Sequence, residues 1–105
     1  MTKNFTKDEI ETIILQAVLS KPAQELNGCK IYPLEKEGEE LVIKNMQGTQ
    51  EVTNLTDLET AIGNKEVARI YIPKFSSITS KGMKNVLSRV TLAKNIYCAF
   101  KIDIS

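Results

Sequence analysis

The chain has 105 residues, 42% of them hydrophobic and 26% charged, a composition typical of one soluble globular domain and unlike disordered or collagen-like proteins. It contains no histidine, which excludes Ser–His and Cys–His nucleophile pairs and removes the commonest metal ligand. The net charge of +1 conceals a division: residues 1–64 carry six Lys/Arg against eleven Asp/Glu, a net charge of −5, and residues 65–105 carry eight against two, a net charge of +6.

We expect a single domain over residues 1–105 in the cytoplasm, with no cofactor and no bound metal. The first apolar run follows Asp8, Glu9 and Glu11, where a signal peptide would carry basic residues, and it is too short to span a bilayer. Cys29 and Cys98 match no zinc or redox spacing and lie in apolar runs, so we expect buried, reduced thiols.

The first predicted helix runs from Lys7 to Ser20 and ends before Pro22. It begins at a capping box in which Thr6 and Glu9 bond reciprocally to the backbone. Its apolar residues follow at helical spacing, at Ile10, Ile13, Ile14, Ala17 and Val18. These residues form one apolar stripe along the helix.

Two strand-like runs, Cys29–Leu34 and Glu40–Asn45, follow a turn at Asn27-Gly28. The charged segment Glu35–Glu39 between them is typical of a hairpin loop. A short third strand is predicted over residues 51–54.

The segment Thr56-Asp57-Leu58-Glu59 is a second capping box and predicts a short helix over residues 57–62. The strongest strand pattern of the chain, Val67–Ile72, follows and ends at Pro73. A polar loop at 75–80 then leads to the next helix.

An amphipathic helix is predicted over Lys81–Lys94 and a final strand over Ile96–Ile104. Because a strand–helix–strand unit nearly always has parallel strands, we expect the last two strands to pair in parallel. The order is α-β-β-(β)-α-β-α-β. The fold class is therefore α+β (mixed α/β), with a single sheet of four to five strands and about three helices, mainly on one face.

Strand alternation places three tyrosines and several basic residues on one sheet face. Aromatic and basic groups together can stack and hold single-stranded nucleic acid, but tyrosines there can equally cover the sheet, meet a protein partner or bury a dimer interface. The residues of this face are Lys30, Tyr32, Lys44, Arg69, Tyr71, Tyr97 and Lys101.

The helix predicted from Lys81 has a basic polar side formed by Lys81, Lys84 and Arg89. Such a side is either a solvated surface or a site for an acidic partner or phosphates. The preceding Ser/Thr loop leads into the helix N-terminus, where backbone N–H groups and a lysine can hold an anion. A plain N-cap by Thr79 or Ser80 is the alternative interpretation.

The strand at 68–72, then Ser77-Ile78-Thr79-Ser80-Lys81-Gly82-Met83, then Val86-Leu87 resembles the STAS domain of anti-sigma factor antagonists. That family has Ile-Asp-Ser-Ser-Gly-Leu before a helix, and a partner kinase phosphorylates the serine after the aspartate. The resemblance puts Thr79 at the aspartate, Ser80 at the phosphoacceptor and Gly82 at the glycine, with Lys81 in place of the second serine. It implies a regulatory module whose partner binding is switched at Ser80.

We therefore expect a small protein-interaction or regulatory module without enzymatic activity, acting through its basic C-terminal half. Its partner-binding residues would be Lys81, Lys84 and Arg89, and its phosphoacceptor or anion site Thr79, Ser80, Lys81 and Gly82. The expected partner is an acidic protein or a second copy of the chain, not a membrane. The alternatives are single-stranded nucleic-acid binding by the tyrosine-bearing sheet face, and an inhibitor or immunity-type protein.

Overall fold

The structure is a computed structural model that describes residues 4–90 and 92–104. Within these residues the chain forms four helices and five strands in one sheet, so the predicted α+β class is confirmed. The elements are α1 (Lys7–Leu19), β1 (Gln24–Leu26), β2 (Cys29–Pro33), α2 (Glu37–Asn45), β3 (Thr49–Glu51), α3 (Leu55–Gly63), β4 (Arg69–Ile72), α4 (Ser80–Leu87) and β5 (Asn95–Cys98).

The strand order is β1-β2-β5-β4-β3, and every pair of neighbouring strands except β1 and β2 is parallel. The predicted parallel pairing of the last two strands is confirmed, with Ile70 opposite Ile96. β1 is an antiparallel edge strand that joins β2 through Asn27 and Gly28. Their φ angles of 53° and 84° are those of a two-residue hairpin turn.

The sheet is covered on both faces, and two separate hydrophobic clusters form. We call the sides the isoleucine face, which packs against α3 and α4, and the tyrosine face, which packs against α1 and α2. Ile70 and Ile96 belong to the first, and Tyr71 and Tyr97 to the second, because successive strand residues alternate sides. The expectation of helices mainly on one face is therefore wrong.

The main error lies at residues 35–45, predicted as a hairpin loop and a second strand but folded as α2. The apolar alternation of Leu41 and Ile43 is typical of a strand, yet the two buried residues of α2 are Glu39 and Ile43, four apart on one helix face. Acidic residues at 37, 39 and 40 occupy the first turn, where they favour the positive end of the helix dipole.

The helix predicted over 81–94 ends at Leu87. After the Ser88 N–H, which donates to the Lys84 carbonyl at 3.0 Å, the Arg89 N–H donates to the Val86 carbonyl at 3.1 Å, a tighter three-residue turn that closes the helix. Thr91 lies outside the described residues.

The strand predicted over 96–104 leaves the ladder after Cys98, although Ile102 and Ile104 still bury against the isoleucine face. The apolar alternation of the sequence therefore continues beyond Cys98, the last residue of the paired strand. On the other edge, the short strand expected over 51–54 lies at Thr49–Glu51. The helix after it, α3, is capped by Asn54, whose side chain accepts from the Asp57 N–H at 2.8 Å, and not by Thr56.

Candidate functional site

The tyrosine face is not an open surface. Tyr32, Tyr71 and Tyr97 do share one side of the sheet, but they are 6%, 4% and 1% exposed because α1 and α2 cover them. Tyr32 and Tyr97 stack on each other with ring centroids 5.5 Å apart. No base can reach these rings in this fold, so the prediction of an open, aromatic nucleic-acid surface is wrong.

The basic residues assigned to that face are also dispersed. Lys44 lies on α2 and its Nζ is 3.8 Å from Glu51 Oε1. The Arg69 guanidinium donates to the Gln47 carbonyl at 3.0 Å. Lys30 is exposed on β2, and Lys101 follows β5 at the carboxyl edge of the sheet. These groups do not converge on one ligand.

Burial raises the pKa of two of these tyrosines, Tyr71 and Tyr97. Burial, followed by the nearby carboxylates of Glu40 and Glu51, raises the pKa of Tyr71 to about 12. Burial also raises the pKa of Tyr97 above its ordinary value. Both phenols therefore stay protonated at neutral pH and are not tuned for acid–base work.

The Ser/Thr loop caps α4. The Thr79 hydroxyl accepts the Gly82 N–H at 3.0 Å, the plain N-cap interpretation. Ser80 is half-buried, and its Oγ accepts the Asp103 N–H at 3.2 Å, which ties the start of α4 to the C-terminal segment. Lys81 beside it is exposed. Binding of an anion, or phosphorylation at Ser80, stays a prediction.

The predicted basic side of α4 is smaller than expected. Lys81 and Lys84 are exposed, and neither is ion-paired to a described residue. Arg89 lies just beyond the helix, and its guanidinium is 2.5 Å from Glu59 Oε1 on α3. Of the three basic residues predicted on this side, Lys81 and Lys84 are therefore the two available to an acidic partner.

A different surface emerges on α1 and α2. Only Val18 of α1 is buried, whereas Ile10 and Ile13 are 45% and 50% exposed. Leu41 on α2 is 56% exposed. A groove of about 430 Å³ runs between the two helices, and Ile10, Leu41 and Val42 supply its apolar lining. We call Ile10, Leu41 and Val42 the α1/α2 surface; Ile13 lies outside this groove and lines a separate depression with Asp8, Glu9 and Thr12.

The spacing puts Ile10 and Ile13 on the same apolar stripe as Val18, but only Val18 is buried. The sequence does contain a signal for the partial exposure of α1, because Leu15 and Leu19 add further apolar positions to those of the predicted stripe. A helix apolar over more than one face cannot bury all of it against one sheet. The half-buried Leu15 packs with Val18 on the tyrosine face, and the remaining apolar side of α1 is exposed.

The surroundings of the α1/α2 surface are acidic. α1 and α2 together carry two lysines and six acidic residues, a net charge of −4. The capping box holds Glu9 in place, since its backbone N–H donates to Thr6 Oγ1 at 3.1 Å, as predicted. Lys7, Glu11 and Asn45 complete the groove.

Glu39 fixes α2 to the body of the protein and was not singled out from the sequence. Its carboxylate is 4% exposed and accepts from Lys21 Nζ at 2.7 and 2.8 Å. It also accepts the backbone N–H groups of Glu35 and Lys36, both at 3.0 Å. Burial alone would raise the pKa of Glu39, but these bonds and the Lys21 charge hold it below its ordinary value of 4.5.

In residues 4–90 and 92–104 no group of three or more Cys, Asp or Glu side chains is placed to hold a metal ion. None of the helices described is long and apolar enough to cross a membrane. Comparison with protein-family models, curated proteins and solved structures finds no significant match. The resemblance to STAS domains therefore stays a prediction.

Proposed function

We propose that the protein is a small protein-interaction module without enzymatic activity, and that it docks its partner on the α1/α2 surface. The observation that carries this proposal is the groove lined by Ile10, Leu41 and Val42, of which Ile10 and Leu41 are each about half-exposed. Single exposed aliphatic residues are ordinary, whereas an apolar cluster with a polar rim is typical of an interaction site.

The partner would be a basic amphipathic helix. An apolar groove between two helices fits the apolar face of a third helix. Apart from the buried Glu39, which pairs with Lys21, α1 and α2 carry five acidic residues and two lysines, a net charge of −3. This charge attracts flanking Lys or Arg side chains and repels an acidic segment or an anionic lipid surface.

The contribution of the α1/α2 surface to the binding free energy follows from the apolar area that the partner would cover. Covering three aliphatic side chains that are already half-buried contributes about 1 kcal/mol each, since full burial contributes about 1.5–3 kcal/mol. Replacing Ile10, Leu41 and Val42 together by Ser therefore weakens binding by about 3 kcal/mol, on the order of a hundredfold in Kd.

A defined peptide tests this directly. The probe is a fluorescent helical peptide of Leu and Lys with an apolar face, compared with the same pattern of Leu and Glu. Anisotropy should show saturable binding of the Leu/Lys peptide to the wild-type protein, weakened by salt and by the triple Ser variant. Circular dichroism and thermal melting verify that the variant folds, as expected for positions outside the buried core.

The matched control is Lys81→Gln combined with Lys84→Gln, which leaves the α1/α2 surface intact. If the wild-type protein instead prefers the Leu/Glu peptide, and this control variant loses that preference, the binding site lies on α4 at its exposed lysines. That is the site that the charge pattern of the sequence predicts. If light scattering detects self-association of the wild-type protein, and the triple Ser variant abolishes it, the occupant of the groove is a second copy of the chain instead.

A further inference from the structure

A second site lies at the carboxyl ends of the parallel strands, away from the groove between α1 and α2. A cleft of about 530 Å³ opens where β2 and β5 end, near Pro33 and Cys98. After β2 the chain passes to α2 on the tyrosine face, and after β5 it passes to the isoleucine face, where Ile102 packs. In α/β sheets, ligands bind where the chain leaves two neighbouring strands toward opposite faces of the sheet.

Part of the wall of this cleft is apolar, and hydrogen bonds hold one side of it in place. Leu34 and Phe100 line it beside Ile102. Gln24 fixes the segment that contains Ile102 and Ile104, because its side chain donates to the Ile102 carbonyl and accepts the Ile104 N–H at 2.7 Å. The cleft is therefore formed by fixed backbone and needs no ligand to shape it.

Cys98 contributes to the floor as a neutral thiol. It is 1% exposed, and burial raises its pKa to about 12. A buried, protonated thiol is not a nucleophile. The cleft therefore offers reversible binding and no covalent chemistry through Cys98.

The charged groups of the cleft are Lys74, Lys101 and Glu35. Both lysines are exposed, and neither is ion-paired to any residue that the structure describes. Glu35 is 3.9 Å from Lys21 Nζ. Two ammonium groups against one carboxylate leave one positive charge to be matched by a ligand.

We propose that this cleft binds a small organic monoanion, a carboxylate with an apolar body. The carboxylate lies between Lys74 and Lys101, and the body contacts Leu34, Phe100 and Ile102. Charge-assisted bonds to lysine fix the head group, and the apolar walls select the body. This site is independent of docking on the α1/α2 surface.

The test is a titration followed by ¹⁵N-resolved NMR of the full chain. The probe is naphthalene-2-carboxylate, compared with neutral naphthalene-2-carboxamide and with acetate, which is the head group alone. We expect saturable shifts at the amides of Ala99, Phe100 and Lys101 with a Kd of about 1 mM. The carboxamide and acetate should each bind at least about tenfold more weakly.

Lys74→Gln with Lys101→Gln should raise the Kd on the order of tenfold, whereas Lys84→Gln on α4 should leave it unchanged. Equal binding of carboxylate and carboxamide would overturn the lysine contacts, and equal binding of acetate would overturn the apolar walls. Absence of saturable shifts at the cleft would overturn the site itself. These comparisons on the wild-type protein stand even if the double variant is unstable.

Discussion

Glu39 is the residue whose removal should most disturb the placement of α2, and Glu39→Gln is the perturbation that isolates its charge. The carboxylate accepts two bonds from Lys21 Nζ and two from backbone N–H groups, at 2.7–3.0 Å. Glutamine has nearly the same shape but carries no charge. It retains one acceptor oxygen for the backbone.

The expected cost follows from the burial of the pair. Removing one partner of a fully buried ion pair costs about 3–5 kcal/mol because the other charge is left uncompensated. The Lys21 side chain is 18% exposed, so water reaches its ammonium and lowers this figure. We expect Glu39→Gln to reduce the free energy of unfolding by about 2 kcal/mol, a fall in Tm of about 10 °C.

The assay is urea or thermal unfolding at several pH values. The folded pKa of Glu39 lies below its ordinary value of 4.5, so its stabilisation is complete above that value and is lost as the pH falls through the folded pKa. The difference between wild type and Glu39→Gln should therefore be full at neutral pH and shrink in acid.

The matched control is Glu37→Gln, an exposed carboxylate in the same turn of α2, which should change stability by less than about 0.5 kcal/mol. Equal stability of Glu39→Gln and wild type at neutral pH, or a difference that does not change with pH, would refute the role given to the Lys21 pair.

Three further predictions follow from the packing. Stability should fall as the pH rises above 10.0, because burial and neighbouring carboxylates raise the folded pKa of Tyr71 to about 12, and Tyr71→Phe should make that fall less steep in urea melts. Thr79→Ala should cost about 1 kcal/mol in the same melts, since the Gly82 N–H loses its cap; an unchanged midpoint would contradict the cap. Cys29 and Cys98 should resist a thiol reagent until the protein unfolds, and rapid labelling of the native protein would contradict their burial.

Features encoded locally could be predicted from the sequence. The capping box at Thr6 and Glu9 forms as expected, and the apolar run that contains β4 pairs in parallel with β5. Each depends on neighbouring residues or on one strand–helix–strand unit. By contrast, Glu40–Asn45 satisfies a strand pattern as well as a helix pattern, and the contact between Glu39 and Lys21 decides in favour of α2.

The candidate sites could not be predicted in the same way. The cleft at the carboxyl edge joins residues from four separate segments, Gln24, Leu34, Lys74 and Phe100, which meet only because β5 lies between β2 and β4. Exposure of Ile10 depends on which side of α1 packs on the sheet, and helical periodicity alone does not fix that side.

Docking on the α1/α2 surface is the central claim, and hydrogen–deuterium exchange of the protein with and without the Leu/Lys peptide tests it most directly. We expect slower exchange in Lys7–Leu19 and Glu37–Asn45, with no change in Ser80–Leu87. Protection confined to Ser80–Leu87, or no protection at saturating peptide, would contradict it.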